Sequence, residues 1–390
     1  MSFVLLDVGG TFVKAAFLAE GHEGVESIKV VRHPITEFSS ISTKSRTFDP
    51  RKLLLTIESA LSKVGFDSNS TSRLLVTGQM AGLAMFQRDA GPVSEFISWQ
   101  DEVYTASSTD LQDLVLRTGD PIRPNLPIVR LSNTRTPDDW VIGSFMWGVT
   151  SLLVNRPIEF AHVSDCAALG LLDVLTADWD SEALLRVGLR RHQLPTPSWD
   201  TKMVGLIGNC EVYVPYGDHQ MSLFGGNLTE DEVSVNIATG GQVSQITANP
   251  SRKLQFRPYV VKGSYLQTRT HLTAGRRLNS ALETHLGRAP TSQEWTQILK
   301  LDNFSHLPSL LETTLNALVN EYCTEIQKIM RPETCRLVFT GGVAQNSTLI
   351  RSKICEKLGL EQRVVEADDA AIAGLRRIAE LQFKDFNCEL

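Results

Sequence analysis

The stretch "DVGGTFVKAAF", Asp7 to Phe17, comes directly after the apolar run "FVLL" near the start of the chain. A strand feeding two glycines and a threonine suggests a phosphate loop, yet the residues that follow fit neither common nucleotide motif. A Walker loop needs four residues between its glycines and then Gly-Lys-Ser/Thr, and the dinucleotide fingerprint needs a third glycine opening a helix. Here "FVKAAFLAE" is rich in strand formers, so the pattern predicts strand, tight glycine turn, strand. The first phosphate-loop candidate is therefore a hairpin and not a helix entrance.

The pattern returns twice. "VNIATGGQVSQI", residues 235 to 246, again places a Thr-Gly-Gly turn between β-type segments, and "CRLVFTGGVAQNSTLI" runs a strand into two glycines and a helix carrying Asn346. A single Gly-Gly pair usually does no more than satisfy backbone geometry. Three of them, each ending an apolar strand and far apart in sequence, suit a nucleotide held between two domains. The first two hairpins would wrap phosphates with backbone N–H groups and the third would approach the nucleoside. Helical patterns such as "RKLLLTIESALSKV" alternate with strands such as "RLLVTG", and a helix-compatible stretch lies ahead of "VYVPYGDHQ". This alternation argues for an α/β layer architecture. Farther on, Thr291 to Glu294 reads as a capping box, and Leu315, Leu318, Val319, Tyr322, Cys323, Ile326 and Ile329 share one helical face that reads as core.

Composition narrows the function. At 390 residues the chain is long enough for two domains, and its net charge of -6 without Lys/Arg runs argues against nucleic acid as a general partner. The six cysteines (Cys166, Cys210, Cys323, Cys335, Cys355, Cys388) form no CxxC pair, which fits a reducing compartment and makes the cytoplasm the expectation. No basic segment precedes the first apolar residues and Asp7 interrupts them, so no secretory signal is expected. The uncharged stretch "WVIGSFMWGVTSLLVN" is shorter than the roughly 18 to 20 apolar residues of a membrane span. With Thr136 as N-cap, Pro137 in the first turn and Asp139 at the third position, it is expected to be a buried core helix.

Several segments resemble the FGGY carbohydrate kinases of the actin/hexokinase/Hsp70 superfamily, over nearly the whole chain. They are "LLVTGQMAGLAMF", "FISWQDE", "HVSDCAALGLLDVLTADWD", "VYVPYGDHQMSLFGG" and "VVEADDAAIAGLRRIAEL". Within that family "GDHQMS", "TGGQVS", "QFRPYVVKGSYL" and "LTAGRRLNSAL" are most similar to the sedoheptulokinase-like branch. Ala238 and Ala274 stand where the family usually has glycine, and Ala81 stands where its xylulokinase branch often has histidine. The resemblance implies two RNase H-like (actin-like ATPase) α/β domains flanking a nucleotide and sugar cleft. The N-terminal domain would be 1–225 and bind sugar, the C-terminal domain 226–390 and bind nucleotide, with a hinge near residues 225 to 230.

Phosphoryl transfer to a hydroxyl needs in-line positioning, neutralised phosphate charge and a carboxylate to take the proton. From its own residues Asp218 reads equally as that base or as the Asp of a Tyr-Gly-Asp turn; the resemblance selects the base. Asp7, at a strand end, needs a partner or a cation, which Mg²⁺ held by Asp7 and Asp218 would supply, since this ion binds through one or two carboxylates plus phosphates. Gly10, Thr11 and Lys14 are expected at the phosphates, with Thr239, Gly240, Gly241, Gly275, Gly341, Gly342 and Asn346 completing the ATP site. For the sugar, Gln79 and Asp101 can address adjacent hydroxyls and Trp99 can cover a C–H face, with Met80 and Gln220 beside them. His219 reads as structural.

The function implied is ATP-dependent phosphorylation of a sugar hydroxyl, sedoheptulose foremost. Xylulose, ribulose or a polyol, a ROK-type hexokinase and a catalytically silent sugar-sensing protein are the alternatives. The ROK group's Cys-x-Cys-Gly segment is missing from this sequence. The partners expected are a small sugar and ATP, with no nucleic acid and no membrane, and a homodimer stays open.

Overall fold

The computed structural model describes residues 2–21, 24–35, 46–101, 109–121, 123, 125–301, 303, 307–365 and 369–383. The chain divides into two compact units, one of Met1–Gly226, Arg257–Lys262 and Asp369–Leu390, the other of Asn227–Phe256 and Gly263–Asp368.

In the first unit, β1 (Ser2–Val8), β2 (Phe12–Gly21) and β3 (Gly24–Pro34) form an antiparallel run. The turn at Gly9 and Gly10 is thus a hairpin, as its strand-forming flanks require, and it sets Asp7 opposite Lys14. Strand β4 (Ser72–Gly78) lies parallel to β1, which is buried along nearly its whole length, as a strand covered on both faces should be. A smaller sheet pairs β5 (Leu83–Gln87) with β6 (Trp140–Ser144).

Strand β6 corrects the reading of "WVIGSFMWGVTSLLVN". The segment is not one helix capped at Thr136: Trp140 to Ser144 pairs antiparallel with β5, and the helix is Phe145–Leu153. Cross-strand pairing of the β-branched Val141 and Ile142 outweighs helix propensity there. Gly143 lets the Trp147 ring fold back on the strand, since a Cβ would stand 2.2 Å from that ring. The cap is Ser144, whose Oγ accepts the Trp147 N–H at 2.9 Å. The helix that follows is buried, as expected.

The helix-compatible stretch ahead of "VYVPYGDHQ" is confined to Ser181–Val187; nearer the motif, β7 (Met203–Ile207) and β8 (Cys210–Tyr213) make a hairpin. The short β9 (Tyr216–Gly217) then joins β4 in parallel and leads into the helix Asp218–Gly225. That helix packs backbone to backbone on the helix Ala370–Gln382. A Cβ at Gly225 would meet the Ala370 carbonyl at 2.1 Å, and one at Gly374 would meet that of Met221 at 2.1 Å. Arg377 locks the contact, its guanidinium 4.4 Å above the Phe224 ring and 2.9 Å from the Phe224 carbonyl.

The second unit repeats the plan with β10 (Glu232–Ile237), β11 (Gly241–Thr247), β12 (Tyr265–Leu272), β13 (Arg336–Thr340) and β14 (Glu361–Val364), side by side in the order β12-β11-β10-β13-β14. The helix Ser309–Ile329 buries the expected stripe from Leu315 to Ile329 in this unit's core. The capping box of Thr291 and Glu294 is present on the helix Ser292–Leu299. Five cysteines are free thiols, while Cys388 lies outside the described residues. Among the described residues no helix is long and apolar enough to cross a membrane.

Candidate active site

Three parallel strands of the first unit end in line: Val8 is opposite Gly78, and Gly78 is opposite Gly217. The carboxyl ends of β1, β4 and β9 therefore bring Asp7, Gln79 and Asp218 to one edge, where parallel sheets place their ligands. The edge is braced by hydrogen bonds. Gln79 N–H donates to the Val8 carbonyl at 2.9 Å, Gly217 N–H donates to Ser164 Oγ at 3.2 Å, and that hydroxyl lies 2.7 Å from His162 Nδ1. Gly217 must be small, because a Cβ would stand 2.6 Å from Gln220 Oε1 and 2.9 Å from Met80 Sδ.

Charge is concentrated here. Lys14 Nζ lies 3.4 Å from Asp7 Oδ2 and 3.5 Å from Asp369 Oδ1, and Arg32 holds Asp369 at 3.0 Å. Burial pushes the Asp7 carboxyl above its ordinary value, against the pull of Lys14. Asp218 is pushed up to about 7, by burial first and by the charge of Asp7 next, while the His219 N–H at 2.7 Å, Arg257 and Lys14 oppose the shift. Asp165 also rises to about 7, through burial and then the charge of Asp218, despite a 2.5 Å hydrogen bond from Ser144. A carboxyl poised near neutrality can take a proton and release it at working pH.

The residues expected at the sugar divide. Gln79 Oε1 accepts from Ser98 at 2.6 Å while its Nε2 is buried without a partner, and Gln220 Nε2 donates to the Pro258 carbonyl at 3.2 Å while its Oε1 has none. One unmet donor and one unmet acceptor are what a hydroxylated ligand would satisfy. Half-buried Met80 packs at Gly217, and half-buried Trp99 lies beside Gly10. Asp101 is engaged already: Arg130 meets its Oδ1 at 2.5 Å and the Arg46 N–H its Oδ2 at 2.8 Å. Thr11 is exposed at the turn.

In the second unit β10 and β13 run parallel with Asn236 opposite Thr340, and the two glycine turns follow at their carboxyl ends. A cavity of about 500 Å³ opens there, lined by Thr239, Gly275 and Gly342 among the expected residues and by Arg276, Asn279 and Trp295. Gly240 and Gly342 face open space, so their smallness keeps room. Gly241 is small for another reason: a Cβ would lie 2.0 Å from Tyr322 Oη, which donates to the Asn236 carbonyl. Gly341 has φ +86° and packs against Ile237 and Ala238. Gly275 N–H is spent on the Ala238 carbonyl at 2.8 Å, and Asn346 Nδ2 donates to the Gly342 carbonyl at 2.8 Å.

Residues 2–225 match the N-terminal domain of the FGGY family of carbohydrate kinases. The chain belongs to that family. This kinase is accordingly a phosphotransferase that phosphorylates a sugar at the expense of ATP. Its mixed α/β fold is the two-domain actin-like ATPase fold of the solved sugar kinases. Gluconate kinase from Lactobacillus acidophilus is 16% identical with a TM-score of 0.82, covering 100% of this chain and 91% of its own. Xylulose kinase from Rhodospirillum rubrum is 13% identical at 0.83, covering 100% and 92%. Plasmodium falciparum glycerol kinase, solved with ADP, is 15% identical at 0.82, covering 99% and 90%. No curated protein sequence matches the chain.

Several residues at the kinase's two edges escape sequence reasoning: Asp165, Asp369, Arg130, Arg257 and Trp295. Asp165, Asp369 and Arg257 stand inside segments whose resemblance was visible, "HVSDC", "EADD" and "QFRPY". What marks these three is a charged neighbour far away in sequence, which has no local signature.

Proposed function

We propose that this kinase phosphorylates a hydroxyl of a ketose, with sedoheptulose the first sugar to test, and that Asp218 is the base. The observation that carries the proposal is Asp218 at the end of β9, half-buried, held near neutrality, and sharing its edge with Asp7 and Lys14. In the reaction the sugar oxygen attacks the γ-phosphorus of ATP, the new O–P bond forms as the bond to the ADP oxygen breaks, and the hydroxyl proton passes to Asp218. Lys14 and the Gly10–Thr11 turn neutralise and orient phosphate. Among the described residues no three His, Cys, Asp or Glu side chains form a metal cage. Asp7 and Asp218 nevertheless supply the two carboxylates that suit Mg²⁺ when phosphates and waters complete its shell. Bound there, Mg²⁺ would offset phosphate charge.

Gln79, Met80, Trp99 and Gln220 contact the sugar in this proposal, and Asp101 holds the loop of Trp99 to Arg130. Thr239, Gly240 and Gly342 leave space for the nucleotide, with Gly241, Gly275, Gly341 and Asn346 shaping that bed. The ketose itself rests on the resemblance of "GDHQMS", "TGGQVS" and "QFRPYVVKGSYL" to the sedoheptulokinase-like branch, and the cytoplasm is the proposed location. ADP release measured over a panel of ketoses, aldoses and polyols tests the substrate. Among the neutral sugars sedoheptulose should give the highest kcat/KM, and turnover confined to aldoses would overturn the ketose.

A further inference from the structure

Beside the proposed base stands a group of charges that phosphoryl transfer as described leaves idle. Arg257 lies in the short segment Arg257–Lys262, which belongs to the first unit. Its Nη2 donates to Asp120 Oδ1 at 3.1 Å, and both side chains are largely buried, at 12% and 7% exposure. The adjacent Pro258 carbonyl receives Gln220 Nε2 at 3.2 Å, which ties this segment to the first turn of the helix that begins at Asp218. Arg123 feels both the opposite charge of Asp120 and the like charge of Arg257. Its Nε and Nη1, and the Nε of Arg257, are buried and have no hydrogen-bond partner.

Two guanidinium groups thus lie in the field of Asp120, and among the described residues three of their buried donors are unmet. His219 adds no charge, since burial and Arg257 hold its imidazole down at about 3. Arg257 also acts electrostatically on Asp218, whose carboxylate must stay available to the reacting hydroxyl. An unmet buried donor is costly, and more so when charged. A purely structural ion pair would leave no such surplus. The planar fork of arginine matches a carboxylate or a phosphate with two parallel hydrogen bonds. Through Pro258 the pair adjoins Gln220, whereas the cation on the phosphate hairpin, Lys14, is already shared by Asp7 and Asp369.

We propose that Arg123 and Arg257 seat an anionic substituent, a carboxylate or a phosphate, of the sugar that this kinase phosphorylates. The proposal rests on Asp218 being the base, because that assignment makes this edge the acceptor side. It narrows the substrate class to acidic sugars: aldonates and their keto forms, or sugars that already carry a phosphate.

The test uses the full chain, calorimetric binding, and ADP release with D-gluconate, D-fructose 1-phosphate and neutral sedoheptulose. At least one acidic ligand should bind about tenfold or more tightly than the neutral ketose, and the two acidic arms show whether carboxylate or phosphate fits. Arg123→Met should weaken the favoured acidic ligand by about 10- to 100-fold, the range for losing a charge-assisted hydrogen bond, and weaken the neutral ketose far less. Arg123→Lys keeps the charge without the fork and should fall between the two, which keeps the test open if Arg123→Met does not fold. Equal affinity for acidic and neutral sugars, or equal losses for both in the variants, overturns the proposal. Turnover of an acidic sugar but no ketose supports it and sinks the neutral ketose. Turnover of sedoheptulose alone does the reverse.

Discussion

The two glycine hairpins share a frame and differ in what hangs on it. In the first unit Asp7 stands opposite Lys14 on one side and Thr77 on the other; in the second, Asn236 stands opposite Gln242 and Thr340 at the matching place. An acid and a base occupy one frame and two amides the other. The first edge therefore holds carboxylates at raised pKa, whereas Asn236 spends its amide on Thr340 at 3.0 Å and the turn beyond it opens a cavity. The difference teaches that a glycine hairpin supplies backbone geometry alone. Its chemistry comes from the residue just before the turn and from what the neighbouring parallel strand presents.

The largest effect should come from emptying the charged edge of its base. Asp218→Asn keeps shape and hydrogen bonding but cannot take a proton, so turnover should fall by roughly 10²- to 10⁴-fold with sugar and nucleotide affinity little changed. In the unaltered enzyme kcat should rise with pH as the carboxyl ionises; its pKa is pushed up to about 7 in the unliganded chain, and Mg²⁺ bound beside it would move the rise to lower pH. A variant with normal turnover would remove Asp218 from the chemistry.

Next in size is a stability effect on the loop that carries Trp99. Asp101→Ala removes the carboxylate that Arg130 meets at 2.5 Å in a buried pair, and losing one partner of such a pair costs up to about 3–5 kcal/mol. Urea denaturation measures it directly. A loss under about 1 kcal/mol would show that this pair is solvated like a surface one.

On the neutral edge a pair of substitutions separates glycines kept for the fold from glycines kept for the ligand. Gly241→Ala drives a methyl into Tyr322 and should lower the melting temperature. Gly342→Val enters open space and should leave melting unchanged while weakening ATP about tenfold or more in calorimetry, since the added bulk fills the cavity. Unchanged ATP affinity in a folded Gly342→Val protein would take the nucleotide out of this cavity.

How much of this was readable in the sequence depends on range. Both hairpins, the strand-to-helix turn at Gly341 and the stripe of Ser309–Ile329 are local patterns, and the structure has them. The helix expected from Thr136 failed because its first residues pair with Leu83–Gln87, more than fifty positions away, and no local cap signal can report that. The site shows the same limit. Asp7 and Asp218 were visible as strand-end acids, but the engagement of Asp101 by Arg130 depends on a distant fold contact. So do the acid of Asp165 and the unmet donors of Arg123 and Arg257.

The smallest effect expected is a change of slope. Asp165 has its carboxyl raised from 3.8 to about 7, chiefly by burial, so the folded chain holds a proton that the unfolded chain releases near its ordinary value. A raised carboxyl pKa contributes stability that is complete below about 4 and is lost as pH climbs through about 7. Asp165→Asn keeps an oxygen to accept from Ser144 but cannot ionise, so its stability should fall less steeply over that window. The difference is bounded by the one-proton limit of about 1.4 kcal/mol per pH unit. Part of the slope should survive, because Asp218 is raised to a similar value and still titrates. At pH 8 the variant should be the more stable of the two, having no buried charge to hold beside Asp218. Urea denaturation at pH 5, 6, 7 and 8 measures both chains, and parallel curves would mean that Asp165 is ionised throughout, with Ser144 and solvent offsetting its burial.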